Sequence, residues 1–390
     1  MYYIIKTPVN FYAFYHTRDR GVVRRVYQRG RWSAEQIIAD GARENFTVSL
    51  EGEKLYLFCQ DRQGDIILTT FLIYDDTSKS RVVLKNQSDK IHPIIFHPIV
   101  MESGLAILYN MTSAEERSGF IALRRLDSAG QWAPAARIDQ FIPFGVAQYE
   151  VQRVSSEHLL LFYQTRTSEN NMGYREITPD RQGKYQIFYT TNYFVSDAAY
   201  LTTEDSIHTL LVIKSMFSSQ LVYRKKEGDA FGNPVVLHEA QRIEKCLLLY
   251  VKGSLQAFFL AAGQLFVCAS EDKGGSFSRP VRYKNKFCQN PEKAYFVSQT
   301  PQSESQLFAR QVYVDHASPW DVQVLPDLYE DFYPAPEQAQ PGGGQPEINM
   351  ETQEELERLR NQISLLEKHS AEKDRQILQL THALQRKNSE

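Results

Sequence analysis

Five times along the chain a glycine is followed two or three residues later by an aromatic that opens a short apolar stretch: Gly30-Arg31-Trp32, Gly130-Gln131-Trp132, Gly183-Lys184-Tyr185, Gly228-Asp229-Ala230-Phe231 and Gly275-Ser276-Phe277. Each follows a β-rich run such as Val22-Val23-Arg24-Arg25-Val26-Tyr27. A tight turn with one aromatic anchor, repeated at this interval, means one supersecondary unit copied around a closed array. The pattern predicts an all-β protein, a β-propeller of four-stranded antiparallel sheets.

The second strand of each unit aligns as Phe11–Tyr15, Leu55–Cys59, Leu105–Tyr109, Leu159–Tyr163, Leu210–Ile213, Leu255–Phe259 and Leu307–Arg310, in steps of 44 to 54 residues. Four strands of ~5 to 6 residues with their turns need about that length. Nearly continuous apolar second strands imply burial on both faces, as stacked blades require. Seven blades is the preferred count. The seventh unit offers Ala294–Val297, Gln306–Val314 and Asp321–Leu325 but no clear fourth strand, so six blades with an accessory sheet is the alternative. Which end closes the ring stays open at the level of sequence.

The propeller is expected over 1–334, because the composition changes after Pro334. Residues 335–347 are rich in Pro, Gln and Gly and lack the apolar side chains that offset ordering entropy, so they read as a flexible linker. Over 348–388 Leu356, Ile363, Ile377 and Leu384 recur at heptad a positions, and Leu359, Leu366 and Leu380 at d. Ser370 and Lys373 interrupt the seam. Ile or Leu at a with Leu at d predicts a coiled-coil helix that pairs with another copy, making the chain a homo-oligomer.

Charge is balanced over most of the chain. Residues 335–390 carry seven Lys/Arg and ten Asp/Glu, which leaves 37 of each sign for the propeller. A balanced domain has no global footprint for nucleic acid. No stretch approaches the ~20 apolar residues that span a bilayer, and no membrane contact is expected. Cys59, Cys246, Cys268 and Cys288 have no paired spacing, so they read as reduced thiols in a cytoplasmic protein. His92 and His97 stand five apart, on opposite faces of an extended strand, and no metal or other cofactor is expected.

Ser270-Glu271-Asp272-Lys273-Gly274-Gly275-Ser276-Phe277 resembles the Asp-box, the S-x-D-x-G-x-[ST]-[WF] turn of sialidases and other propellers with BNR repeats. Ser270, Asp272, Gly274, Ser276 and Phe277 fill all five specified positions. The physics of that turn is local: the Asp accepts backbone N–H bonds, the Gly takes positive φ and the aromatic packs into the blade. The box therefore speaks to fold and names no reaction.

Three second strands end alike, in Phe14-Tyr15-His16-Thr17-Arg18, Phe58-Cys59-Gln60-Asp61-Arg62 and Phe162-Tyr163-Gln164-Thr165-Arg166. Arg18, Arg62 and Arg166 are therefore expected on one rim, where guanidinium forks could take a carboxylate or phosphate. The resemblance to sialidases, which hold a carboxylate sugar on an arginine cluster, implies an acidic glycan as ligand. Their early Arg-Ile-Pro segment is matched here only by Lys6-Thr7-Pro8, and Tyr174-Arg175-Glu176 supplies residue types for a tyrosine nucleophile with a glutamate, without recognisable context. The functional expectation is a non-catalytic propeller that binds protein partners and is multimerised by its coiled coil. The alternative is a sialidase-like protein that binds or hydrolyses glycans.

Overall fold

Val, Ile, Tyr and Phe dominate the repeated runs, and such side chains pack well on a pleated, half-buried surface. In a computed structural model every regular element among the described residues is a strand. The structure describes residues 1–324 apart from 29–30, 74–76, 87–90, 92–93, 102–103, 113–118, 127–130, 143–148, 156, 179–180, 284–290 and 319–320. The chain divides into a unit Met1–Tyr333 and a second unit Pro334–Glu390. The expected linker and the seam Leu356, Leu359, Ile363, Leu366, Ile377, Leu380 and Leu384 lie outside the described residues, as do His92 and Cys288.

Sheets follow chain order. Blade 1 holds Tyr2–Lys6, Phe11–Thr17, Gly21–Gln28 and Gln36–Ala39, with Arg31–Trp32 also on its third strand. Blade 2 is Phe46–Glu51, Lys54–Gln60, Ile66–Leu72 and Ser78–Leu84; blade 3 is Phe96–Met101, Gly104–Thr112, Gly119–Leu126 and Ala136–Phe141. Blade 4 is Tyr149–Arg153, Leu159–Arg166, Asn170–Ile177 and Gln186–Thr191; blade 5 is Phe194–Thr202, Ser206–Lys214, Ser219–Glu227 and Val235–Ala240. Blade 6 is Ile243–Val251, Ser254–Ala261, Gln264–Ser270 and Val281–Arg282.

The cores lie between blades, as doubly apolar second strands demand. Blades 1 and 2 share one cluster around Phe14, Phe46 and Leu57, and blades 2 and 3 another around Phe58 and Phe96. Clusters likewise join blades 3 and 4, 4 and 5, and 5 and 6. The last cluster packs Leu247 and Phe258 of blade 6 with Val312 and Val314 and with Ile4 and Phe11 of blade 1. The sheets therefore close on themselves as a β-propeller.

Closure is made by the N-terminal strand. Tyr2–Lys6 runs parallel to Pro291–Ser298, with Tyr3 beside Tyr295 and Lys6 beside Ser298, so that the two ends of the ring merge into one eight-stranded sheet. The single strand expected over Gln306–Val314 is broken at Arg310. Leu307–Ala309 pairs with blade 6 through Leu249 and Ala309, whereas Gln311–Ser318 pairs with Pro291–Ser298. One strand cannot pair two differently placed neighbours without turning between them, and Arg310 sits at that turn.

Candidate functional site: rim turns and a central cavity

The repeated aromatic anchors hold neighbouring blades together. Trp132 of blade 3 donates its indole N–H to the Val83 carbonyl of blade 2 at 2.6 Å. Phe231 of blade 5 stacks on Phe188 of blade 4, with centroids 5.3 Å apart, and Phe277 of blade 6 meets Tyr223 of blade 5 edge-on at 4.7 Å. Around Phe277, Asp272 Oδ1 accepts from the Ser276 N–H (2.8 Å) and the Ser270 hydroxyl (2.7 Å), and Asp272 Oδ2 accepts from the Ser276 hydroxyl (2.7 Å). These bonds to the charged form hold the Asp272 carboxyl well below the usual carboxylate range, the Ser276 hydroxyl contributing most. Gly274 has φ +90°, and a Cβ there would overlap the Tyr223 hydroxyl. The motif is a structural corner between blades 5 and 6.

Arg18, Arg62 and Arg166 are all exposed, each where a second strand turns into a third. The turns are equivalent and share an edge of their blades, but no hydrogen bond or ion pair joins the three arginines among the described residues. Arg62 lies against Gly41, whose missing side chain makes room for it. Tyr174 is buried between blades 4 and 5, where its hydroxyl donates to Gln186 Oε1 at 2.6 Å and accepts from Lys226 at 2.9 Å. It is a packing residue of a third strand, remote from the ring centre.

The same edge of blades 4 and 5 carries four apolar side chains in water. Met216 and Phe217, at the tip of the Ser206–Lys214/Ser219–Glu227 hairpin, are 86% and 84% exposed. Tyr193 and Phe194 are more than half exposed and adjoin that hairpin, since Phe194 pairs with Lys214. Asn170, paired with Arg166, donates to the Tyr193 carbonyl at 2.9 Å. The hairpin tip is pinned: Ser215 Oγ accepts from the Ser218 N–H at 3.0 Å, and the Ser218 hydroxyl donates to Glu239 at 2.9 Å. In the sequence the only signal of this tip is two large apolar residues set between serines, Ser215-Met216-Phe217-Ser218.

First strands line the ring centre, and each carries polar residues among apolar ones: Thr47 and Ser49, His97, Glu150 and Gln152, Asp197, Lys245, Lys293. They tie blade to blade. Thr47 donates to the Phe96 carbonyl at 2.7 Å, Gln152 to the Tyr200 carbonyl at 2.6 Å, and Asp197 accepts from the Cys246 N–H at 2.8 Å and from Lys293 at 2.6 Å. Burial works against the Lys293 ammonium, yet Asp197 and its neighbours keep it above the ordinary lysine value. Arg310 reaches across to donate to the Arg153 carbonyl at 2.9 Å, and Gln311 to Glu150 Oε2 at 3.3 Å.

What remains is a cavity of about 190 Å³ lined by Tyr3, Ser49, His97, Glu150, Gln152, Tyr295 and Arg310, among others. Tyr3 stacks on Tyr295 with centroids 5.0 Å apart, and His97 meets Tyr149 edge-on at 5.0 Å. Burial pushes the Glu150 carboxyl up to about 7, against the pull of Gln152, Lys293 and Arg310, and pushes His97 down to about 4. His97 Nε2 and Arg310 Nε have no hydrogen-bond partner. Among the described residues no group of three His, Cys, Asp or Glu could hold a metal ion, and Cys59 and Cys268 are buried thiols pushed up to about 12 and about 11.

No protein-family model matches the chain. No curated protein matches it. Among solved structures it is similar to the BP39L lectin from Burkholderia pseudomallei, at 12% identity and TM-score 0.53, over 81% of this chain and 91% of that one. AofleA from Arthrobotrys oligospora matches at 11% identity and TM-score 0.42, over 73% and 85%. A fungal lectin from Aleuria aurantia, described as a six-bladed β-propeller with a fucose recognition mode, matches at 10% identity and TM-score 0.42, over 72% and 95%. The first of these likenesses is one of fold.

Proposed function

We propose that this chain is a non-catalytic binding protein whose propeller offers the blade 4–blade 5 rim to a protein partner, and whose C-terminal heptads bring copies together. The pinned Met216–Phe217 tip carries this reading. A soluble domain that holds two apolar side chains in water on a braced turn bears a standing hydrophobic cost, which contact with a partner relieves. Self-association would multiply a modest single-site affinity through effective concentration.

Binding rather than hydrolysis is supported by the cavity, where Glu150 is the one carboxylate among the lining residues. Glycoside hydrolysis generally employs two carboxylates about 5 to 9.5 Å apart, and burial pushes the hydroxyls of the two lining tyrosines, Tyr3 and Tyr295, well above the usual tyrosine range, which disfavours either as a nucleophile beside Glu150. A saccharide ligand is the second reading. It is supported by the fold shared with the Burkholderia pseudomallei lectin, and by exposed Tyr193, Phe194 and Phe217 beside Arg166, which offer ring faces with a carboxylate-binding fork. Arg18 and Arg62 would extend that surface for an acidic glycan. We assign seven blades, the seventh built on Pro291–Ser298, and a reducing, cytoplasmic setting in keeping with three buried free thiols.

Wild-type protein and Met216→Ser/Phe217→Ser are compared on a glycan array and as baits in extract of the source cells. A protein retained by wild type and lost by the variant, with unchanged thermal unfolding, supports the first reading. A saccharide lost in the same way supports the second. Equal retention of every ligand by both overturns the rim as the site.

A further inference from the structure

Arg310 and Glu150 both line the central cavity, one at the break in the final strands and the other on the first strand of blade 4. No carboxylate comes within ion-pairing distance of Arg310 among the described residues. Its Nη2 donates to the Arg153 carbonyl and its Nε has no partner. The Phe308 ring lies 5.3 Å from the guanidinium and Glu150 favours its charge from a distance, yet with no carboxylate in contact this largely desolvated cation is incompletely compensated. His97 also contributes to the lining and is about nine-tenths buried. Glu150 accepts one hydrogen bond on each oxygen, from Gln152 at 2.6 Å and Gln311 at 3.3 Å. Each oxygen has a further lone pair for a ligand.

We propose that the cavity binds a small 2-amino or 2-hydroxy carboxylic acid. Its carboxylate takes the Arg310 guanidinium; its amino or hydroxyl group donates to Glu150; its short side chain lies against the stacked Tyr3 and Tyr295 rings. Charge-assisted bonds to a planar fork give the orientation, and the aromatic wall gives the apolar contact. Size sets the class. The volume of about 190 Å³ is below the roughly 300–1,000 Å³ that drug-sized ligands occupy, which leaves room for a compact acid and none for an oligosaccharide. The site is independent of the rim.

The test is isothermal titration of the full chain with glycine, L-alanine, L-lactate and propionate, and with alanine methyl ester, glycerol and glucose as controls. Saturable binding of L-alanine or L-lactate is expected, with propionate weaker and the ester and neutral polyols at least tenfold weaker, the factor that one lost charge-assisted bond of about 1.4 kcal/mol represents. Arg310→Gln should lower the affinity for every carboxylate by about tenfold or more, whereas Glu150→Gln should chiefly erase the preference for alanine over propionate. Ser49→Phe, which fills the cavity while keeping both charged groups, should abolish binding and guards against misfolding of the Arg310 variant. The proposal is overturned if no carboxylate binds at tens of millimolar, or if glucose binds wild type and Arg310→Gln alike.

Discussion

The indole of Trp132 donates to the carbonyl of Val83, 49 residues earlier and one blade back, at 2.6 Å. Phe231 and Phe277 reach back to the preceding blade in the same way, through Phe188 and Tyr223. The recurring aromatic is thus a joint between units, beside the apolar clusters that fill the space between blades.

Trp132→Phe keeps a ring at that joint and removes the donor, leaving the Val83 carbonyl without it. A net loss of about 1–3 kcal/mol is expected from such an unsatisfied acceptor, read as a lower denaturation midpoint with an unchanged slope.

Gly274 and Gly253 both sit at positive φ, +90° and +86°, but only Gly274 faces the Tyr223 hydroxyl; Gly253 has open space. Gly253→Ala should cost only the backbone strain, about 1–2 kcal/mol. Gly274→Ala adds steric overlap and should exceed it. Equal midpoints for the two variants would refute a close packing of the Asp272 turn on blade 5.

Glu150 titrates at about 7 in the folded chain against an ordinary 4.5. Between these values the unfolded chain has released its proton while the folded chain retains it, so stability falls as pH rises. The contribution is complete below about 4.5, is lost by about 7, and amounts to roughly 3 kcal/mol. Relative to wild type, Glu150→Gln should therefore gain stability between pH 5 and about 7.5, measured by urea unfolding across that range.

Lys293 and Asp197 form an ion pair of 2.6 Å in the ring centre, and the Cys246 N–H shares the same carboxylate oxygen. Lys293→Met strands the carboxylate and should cost about 3–5 kcal/mol; adding Asp197→Leu should recover part of it. Thermal unfolding of the single and double variants gives the comparison.

Light scattering of the full chain beside a chain ending at Pro334 tests assembly. A dimer or larger species that becomes a monomer on truncation is the expected result, because Ile or Leu at a with Leu at d buries its seam only against another helix. Two monomers would remove self-pairing from the functional reading.

Strand positions and the ring were legible because they depend on local composition: a doubly apolar second strand can be stable only between two sheets, and six such runs recur in order, whereas the seventh, Leu307–Arg310, is no second strand and lies instead on the edge of blade 6. The break at Arg310 was not legible, since Gln306–Val314 reads as one continuous strand. Only the competition between blade 6 and Pro291–Ser298 for its edge shows why it turns. Likewise Glu150, His97 and Lys293 look like stray polar residues in separate strands, although one recurs in nearly every first strand.

By itself the sequence determined the repeating unit, its all-β character and the heptads that follow it, because periodicity and propensity are properties of neighbouring residues. Tertiary structure alone decided that the aromatic anchors join blades and that Arg310 and Glu150 share a cavity. Those relations join residues tens to hundreds of positions apart, and only closure of the ring, with Tyr2–Lys6 beside Pro291–Ser298, brings them to one place.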